Sequence, residues 1–272
     1  MNYVLIQKVN YEDFAGVLPI AELSNRNRYT IGAYDDDGVV AGAISFALFE
    51  DQYEVDWLYV TPSMRELGVA TGLLNEIHRY ISATGEIYPI RAEFEVTEKD
   101  MSLLGFFLSR REMDTGFSHY RFYVAPVDIQ DSEGLKLPAG TELTCKKYFS
   151  LPTMYQNRYL SIITADHNFL IEDRNKWKGE CIPELCKVAC DGDKLMGAMF
   201  IMRRADGNLE LSYFYSTTPI ATKILSINVA SQISANYPEA KLIFDCVGDK
   251  ALPLAQRLFP YAEKVCIYES VW

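Results

Sequence analysis

Val60-Thr61-Pro62-Ser63-Met64-Arg65-Glu66-Leu67-Gly68-Val69-Ala70-Thr71-Gly72-Leu73-Leu74 is the stretch that decides how this chain is read. The apolar run from Val55 to Val60 leads into a turn built on Pro62. Ala70, Leu73, Leu74, Ile77 and Ile81 then recur at helical spacing. A strand therefore feeds a helix through a loop that ends in small residues. Free backbone N–H groups at a helix start bind anions, aided by the helix dipole. Gly68 and Ala70 let phosphate oxygens come close, and Arg65 adds a bidentate donor. The chemistry indicated is capture of a pyrophosphate. The stretch lacks the Gly-Lys-Ser/Thr of a Walker loop, and its glycines do not come directly off the strand as in the dinucleotide fingerprint.

Working outward, the chain of 272 residues has room for one large or two small domains. A content of 49% hydrophobic and 23% charged residues is that of a globular protein. The net charge of −11 comes without any Lys/Arg cluster, which argues against nucleic acid or an anionic membrane as partner and suits a cationic acceptor such as an amine. Met1 to Ile6 lacks the charged start and apolar core of a signal peptide, and no run approaches ~18 apolar residues. The six cysteines show no C-x-x-C pair, and Cys181, Cys186 and Cys190 have no histidine beside them, so no metal site is expected. Reduced thiols in a cytoplasmic protein are the expectation.

Along the chain, Tyr3 to Val9 reads as a strand and Tyr11 to Asn25 as helical turns interrupted at Pro19. Tyr29 to Tyr34 and Val39 to Phe49 are strands joined by the hairpin signal Asp35-Asp36-Asp37-Gly38. Gln52 to Val60 is the next strand, followed by the loop and helix described above. Strand Ile87 to Val96, helix Lys99 to Arg110 and strand His119 to Val124 complete the order β-α-β-β-β-α-β-α-β. Pro126 to Gly140 is polar, with prolines and glycines, and reads as a linker.

Arg65-x-x-Gly68-x-Ala70, preceded by Val60-x-Pro62 and followed by an amphipathic helix, resembles motif A of the GNAT superfamily, the acyl-CoA-dependent N-acyltransferases. The resemblance covers about residues 1–126. It implies an α/β (α+β) fold with a mixed, mostly antiparallel twisted sheet flanked by helices.

The second half repeats the first at an offset of roughly 156 residues. Ala33-Tyr34-Asp35 and Val40-Ala41-Gly42-Ala43 are echoed by Ala189-Cys190-Asp191 and Leu195-Met196-Gly197-Ala198. Glu54-Val55-Asp56-Trp57-Leu58-Tyr59 is echoed by Glu210-Leu211-Ser212-Tyr213-Phe214-Tyr215. The expected organisation is a GNAT domain over 1–126, a linker over 127–140 and a degenerate GNAT-like domain over 141–272. The copy has lost the pyrophosphate loop, since only Thr218-Pro219 stand between Thr217 and its helix. That leaves it a role in shaping an acceptor site, in partnering the first domain, or in stability.

The resemblance implies direct transfer of an acetyl group from acetyl-CoA to a primary amine of a small molecule or peptide. A non-catalytic acyl-CoA-binding protein and a transferase using another acyl donor are the alternatives. By resemblance the backbone of Leu58 and Val60 lies along the pantetheine, while Arg65, Gly68, Val69, Ala70 and Thr71 hold the pyrophosphate. Glu54 is the expected general base. Asp56 assists it or binds the substrate ammonium. Strict alternation would set Glu54, Asp56, Leu58 and Val60 on one face, where two carboxylates raise one pKa. The general acid of the family is a tyrosine in the second helix, and here that position is Phe107. Protonation of the leaving thiolate falls to water, Tyr120 or Tyr123. His78, His119 and His167 are too scattered to form a catalytic set.

Overall fold

Asp35 closes the first hairpin, its carboxylate accepting from the N–H groups of Asp37 and Val39 at 3.0 and 2.8 Å. Gly38 supplies the positive φ of 80° that the turn needs. The hairpin joins β2 (Arg28–Tyr34) to β3 (Val40–Phe49). The computed structural model describes residues 1–18, 28–49, 51–85, 87–97, 101–130, 142–166, 174–204, 206–247 and 251–272. Pro19 and most of the expected linker lie outside these residues, as does the start of the helix expected from Lys99.

The chain divides into two units, residues 1–118 with 266–272 and residues 119–265. In the first, β1 (Asn2–Leu5), β2, β3, β4 (Gln52–Val60), β5 (Ile90–Val96) and β12 (Glu263–Val271) follow one another across a sheet. The pairing is antiparallel except between β4 and β5. Helix α1 (Val69–Thr84) buries Val69, Leu73, Leu74, Ile77 and Ile81 against Ile44, Phe46, Val55 and Ala92. Helix α2 (Ser102–Leu108) adds Leu104 and Phe107 to the same core. The opposite face carries a smaller cluster of Phe14, Leu18 and Ala43, against which Trp57 packs.

In the second unit the sheet runs β6 (Asp114–Val124), β11 (Leu242–Cys246), β10 (Leu209–Ser216), β9 (Lys194–Arg203), β8 (Lys187–Asp191) and β7 (Thr144–Lys147). Only β10 and β11 are parallel among these pairs. Helix α3 (Pro126–Gln130) starts where a linker is expected, and α4 (Thr153–Asp166) and α5 (Arg174–Glu180) precede β8. Helix α6 (Pro219–Asn236) lies on the sheet, and α7 (Ala251–Leu258) follows β11.

The sequence repeat is also a repeat of register. Gly42 pairs with Val60 in the first unit and Gly197 with Ser216 in the second. A Cβ at Gly42 would stand 2.5 Å from the Tyr59 carbonyl oxygen, and at Gly197 2.8 Å from that of Tyr215. A bulge leaves Asp56 without a partner residue on β3, and another leaves Ser212 without one on β9. The last strand of each repeat is where linear reading and structure part. Residues 120–124 pair with β11 in the second unit, and residues 266–271 pair with β5 in the first.

Candidate active site

The strand–loop–helix turn has the predicted form. Thr61 is tied to β3 by its N–H and hydroxyl, both donating to the Ala41 carbonyl at 2.9 and 3.1 Å. Pro62–Met64 makes one 3-10 turn. Glu66 takes a φ of 64°, the one non-glycine in that region among the described residues, and Gly68 takes 83° as N-cap of α1. No side chain caps this end of α1. The first N–H groups of the helix, from Val69, Ala70 and Thr71, therefore remain for an anion, beside a glycine whose missing Cβ leaves open space. Arg65 Nε donates to the Val60 carbonyl at 3.3 Å, which holds the guanidinium at the end of β4.

The corresponding helix of the second unit offers fewer such groups, Ile220 alone keeping its N–H among the first three residues. Thr218 Oγ accepts from the Ala221 N–H at 3.2 Å, and Pro219 has no N–H to offer. Where the first unit has an uncapped helix start, the second has one capped by its own Thr218.

On β4 the bulge changes the expected geometry. Ser45 pairs with Trp57 and Phe46 with Val55, so Asp56 is the extra residue and the alternation shifts by one. Tyr53, Val55, Leu58 and Val60 face α1, whereas Trp57 packs on the other side. Glu54 and Asp56 thus lie on the face opposite Leu58 and Val60, not on the same face as strict alternation predicts. Pairing of β4 with β5 also stops at Val55 and Ala92, so the two strands part along Trp57 to Val60.

Glu54 and Asp56 line a cavity of about 260 Å³ with Arg91 and Glu93. Gln52 Nε2 donates to Glu54 Oε1 at 2.8 Å. Arg91 reaches Glu54 at 3.8 Å, Glu93 at 3.6 Å and Glu269 at 2.7 Å, and Arg28 stands 3.4 Å from Asp56. Four carboxyl groups meet two guanidinium groups here. Burial raises the Asp56 pKa, the Arg28 charge opposes it, and Glu54 adds to the rise.

Phe107 is 2% exposed and stacks on Phe94 at 4.7 Å, with Trp272 at 6.1 Å. It is a core residue. Tyr120 and Tyr123 belong to the second unit, where Lys264 lies over the Tyr120 ring at 4.5 Å and Lys241 over the Tyr123 ring at 5.6 Å. Arg91, Glu93 and Glu269 have no motif around them. The only available signal was the alternation Arg91-Ala92-Glu93-Phe94-Glu95, which marks a strand with one polar face.

Residues 6–110 match the family model described as the acetyltransferase (GNAT) family. The first unit is a GNAT domain. Among solved structures, a tandem GNAT protein from the clavulanic acid biosynthesis pathway superposes with a TM-score of 0.61 at 13% identity, over 97% of this chain and 87% of that one. A GCN5-related N-acetyltransferase from Sphaerobacter thermophilus gives 0.57 at 13% identity, over 95% and 83%. A probable N-acyltransferase from Enterococcus faecalis V583 gives 0.54 at 10% identity, over 99% and 72%. No curated protein sequence matches the chain. The GNAT fold is that of acyl-CoA-dependent N-acyltransferases, and this chain carries it in tandem. Among the described residues, no helix is long and apolar enough to cross a membrane.

Proposed function

We propose that the first unit transfers an acetyl group from acetyl-CoA to a primary amine, directly and without a covalent enzyme intermediate. The observation that carries this reading is the pairing of two features within one unit. An uncapped helix start with Arg65 and Gly68 suits a pyrophosphate, and a carboxyl-lined cavity beside the opening between β4 and β5 suits an ammonium. Acetyl-CoA supplies the activated acyl group. The N–H groups of Val69, Ala70 and Thr71 with Arg65 hold its phosphates on the α1 face, and the backbone of Leu58 and Val60 lines its path. The acceptor enters from the other face. Glu54, Asp56 and Glu93 attract its charge, and Asp56 or Glu54 takes the proton that the amine must lose before it can attack. The raised proton affinity of Asp56 favours it for that step. The leaving thiol, of ordinary pKa about 8.5, departs with a proton from water.

The acceptor is a small-molecule or peptide amine. The acidic balance of the chain and its six free cysteines support a cytoplasmic protein that binds neither nucleic acid nor membranes. A second reading, an acyl-CoA-binding protein without turnover, is favoured by Phe107, whose ring has no proton to give. Calorimetric titration with acetyl-CoA tests the cofactor half of the proposal. One site per chain is expected, lost in Arg65→Ala combined with Gly68→Glu. No binding by the unaltered protein would end both readings. Binding without acetylation across a screen of amines would leave the second.

A further inference from the structure

We infer that the second unit binds an uncharged, mainly apolar molecule in a cavity lined by β10, β11, α6 and α7, open on one side to solvent. Strands β10 and β11 pair only at Leu209–Leu242 and Glu210–Ile243. Beyond that point the space beside them forms a cavity of about 400 Å³. Its walls are apolar, with Phe214, Val229, Ile233, Phe244, Leu254 and Phe259 among them. A dry cavity of about 150 Å³ accepts benzene, so this one has room for about 10–15 carbon atoms. The volume also falls within the range of small-molecule sites.

The lining excludes a charged ligand. Among the residues that line the cavity none is a lysine or arginine, and the single carboxylate, Asp245, is already answered. Arg121 donates to its two oxygens from Nε at 2.6 Å and from Nη2 at 2.9 Å, and His119 Nε2 stands 3.4 Å away. Ser212 donates its hydroxyl to the Phe200 carbonyl at 3.2 Å. Burial pushes the Cys246 thiol up to about 11, so it stays neutral at physiological pH. The start of α6 leaves a phosphate one N–H, that of Ile220, where the first unit has three, since Thr218 caps Ala221 and Pro219 has none. A chain or ring system without charge is what remains, and this conclusion does not depend on the reaction proposed for the first unit.

The test is a calorimetric titration of the full-length protein with 1-decanol and, separately, with decanoate at neutral pH. One saturable site for decanol with a negative heat-capacity change, and binding of decanoate at least tenfold weaker, is the expected result. Ala230→Trp, which fills the cavity from α6, should weaken decanol binding at least tenfold while the acetyl-CoA titration stays as in the unaltered protein. Leu254→Trp fills it from α7 and serves if the first variant does not fold. Failure of decanol to saturate, decanoate binding as tightly as decanol, or full decanol affinity in a folded filled variant would each overturn the inference.

Discussion

Arg91 Nε stands 2.7 Å from Glu269 Oε1, a contact between the fifth strand of the chain and its last. The same guanidinium reaches Glu54, so the candidate acceptor cavity is tied to a strand that belongs, by sequence, to the other repeat. In β12, Ser270, Tyr268 and Cys266 pair with Ala92, Phe94 and Val96, and Trp272 exchanges both backbone hydrogen bonds with Ile90. Deleting residues 266–272 strips β5 of this partner and removes Tyr268 and Trp272 from the core around Phe94 and Phe107. The expected outcome is loss of cooperative unfolding of the first unit, followed by thermal denaturation with acetyl-CoA present and absent. A truncated protein that melts like the full chain would show that β12 adds little.

The raised pKa of Asp56 makes a signed prediction. Folding favours its protonated form, so this contribution to stability is complete below the unfolded carboxyl value of about 3.9 and is lost as pH rises through the higher folded value. Asp56→Asn cannot lose it. The melting temperature of the variant minus that of the unaltered protein should therefore be more positive at pH 7 than at pH 4, read by calorimetric scans at both.

The same carboxyls should separate binding from turnover. Asp56→Asn is expected to lower kcat about tenfold or more and Glu54→Gln several-fold, each with acetyl-CoA affinity nearly unchanged. The measurement is steady-state kinetics beside calorimetry, once an amine acceptor has been found by screening. Unaltered kcat in both variants would remove the pair from the mechanism.

Matched glycines offer a test of the repeat. Gly42→Ala and Gly197→Ala each push a Cβ into a backbone oxygen of the neighbouring strand, at a cost of about 1–3 kcal/mol. Gly105→Ala in α2 meets nothing within 4 Å and should stabilise by about 0.5–1 kcal/mol. Denaturant unfolding of the three variants distinguishes a steric requirement from a general intolerance of substitution.

Phe107→Tyr would supply the hydroxyl that the GNAT resemblance leads one to expect at this position. Packed between Phe94 and Trp272, that hydroxyl should cost about 1–3 kcal/mol for want of a partner and should not raise turnover. Faster acetylation by this variant would mean that thiolate protonation limits the rate.

The turn from Arg65 to Thr71 was legible from the chain alone, because a strand–turn–helix start is a local structure. The positive φ of Gly68, the missing cap and the apolar stripe of α1 all follow from residues within one or two turns of each other. The repeat was legible for the same reason, since each copy writes its own hairpin and glycine. Two features were not. Asp56 as a bulge, with Glu54 moved to the face opposite Leu58 and Val60, depends on the register that β4 finds against β3, and one skipped residue inverts every later side chain. The placement of β12 beside β5 depends on which edge a strand of ordinary composition can pair with once the helices are packed. Arg91, Glu93 and Glu269 then meet Glu54 only because non-local pairing brings them to one face, and nothing in their own neighbourhoods records it.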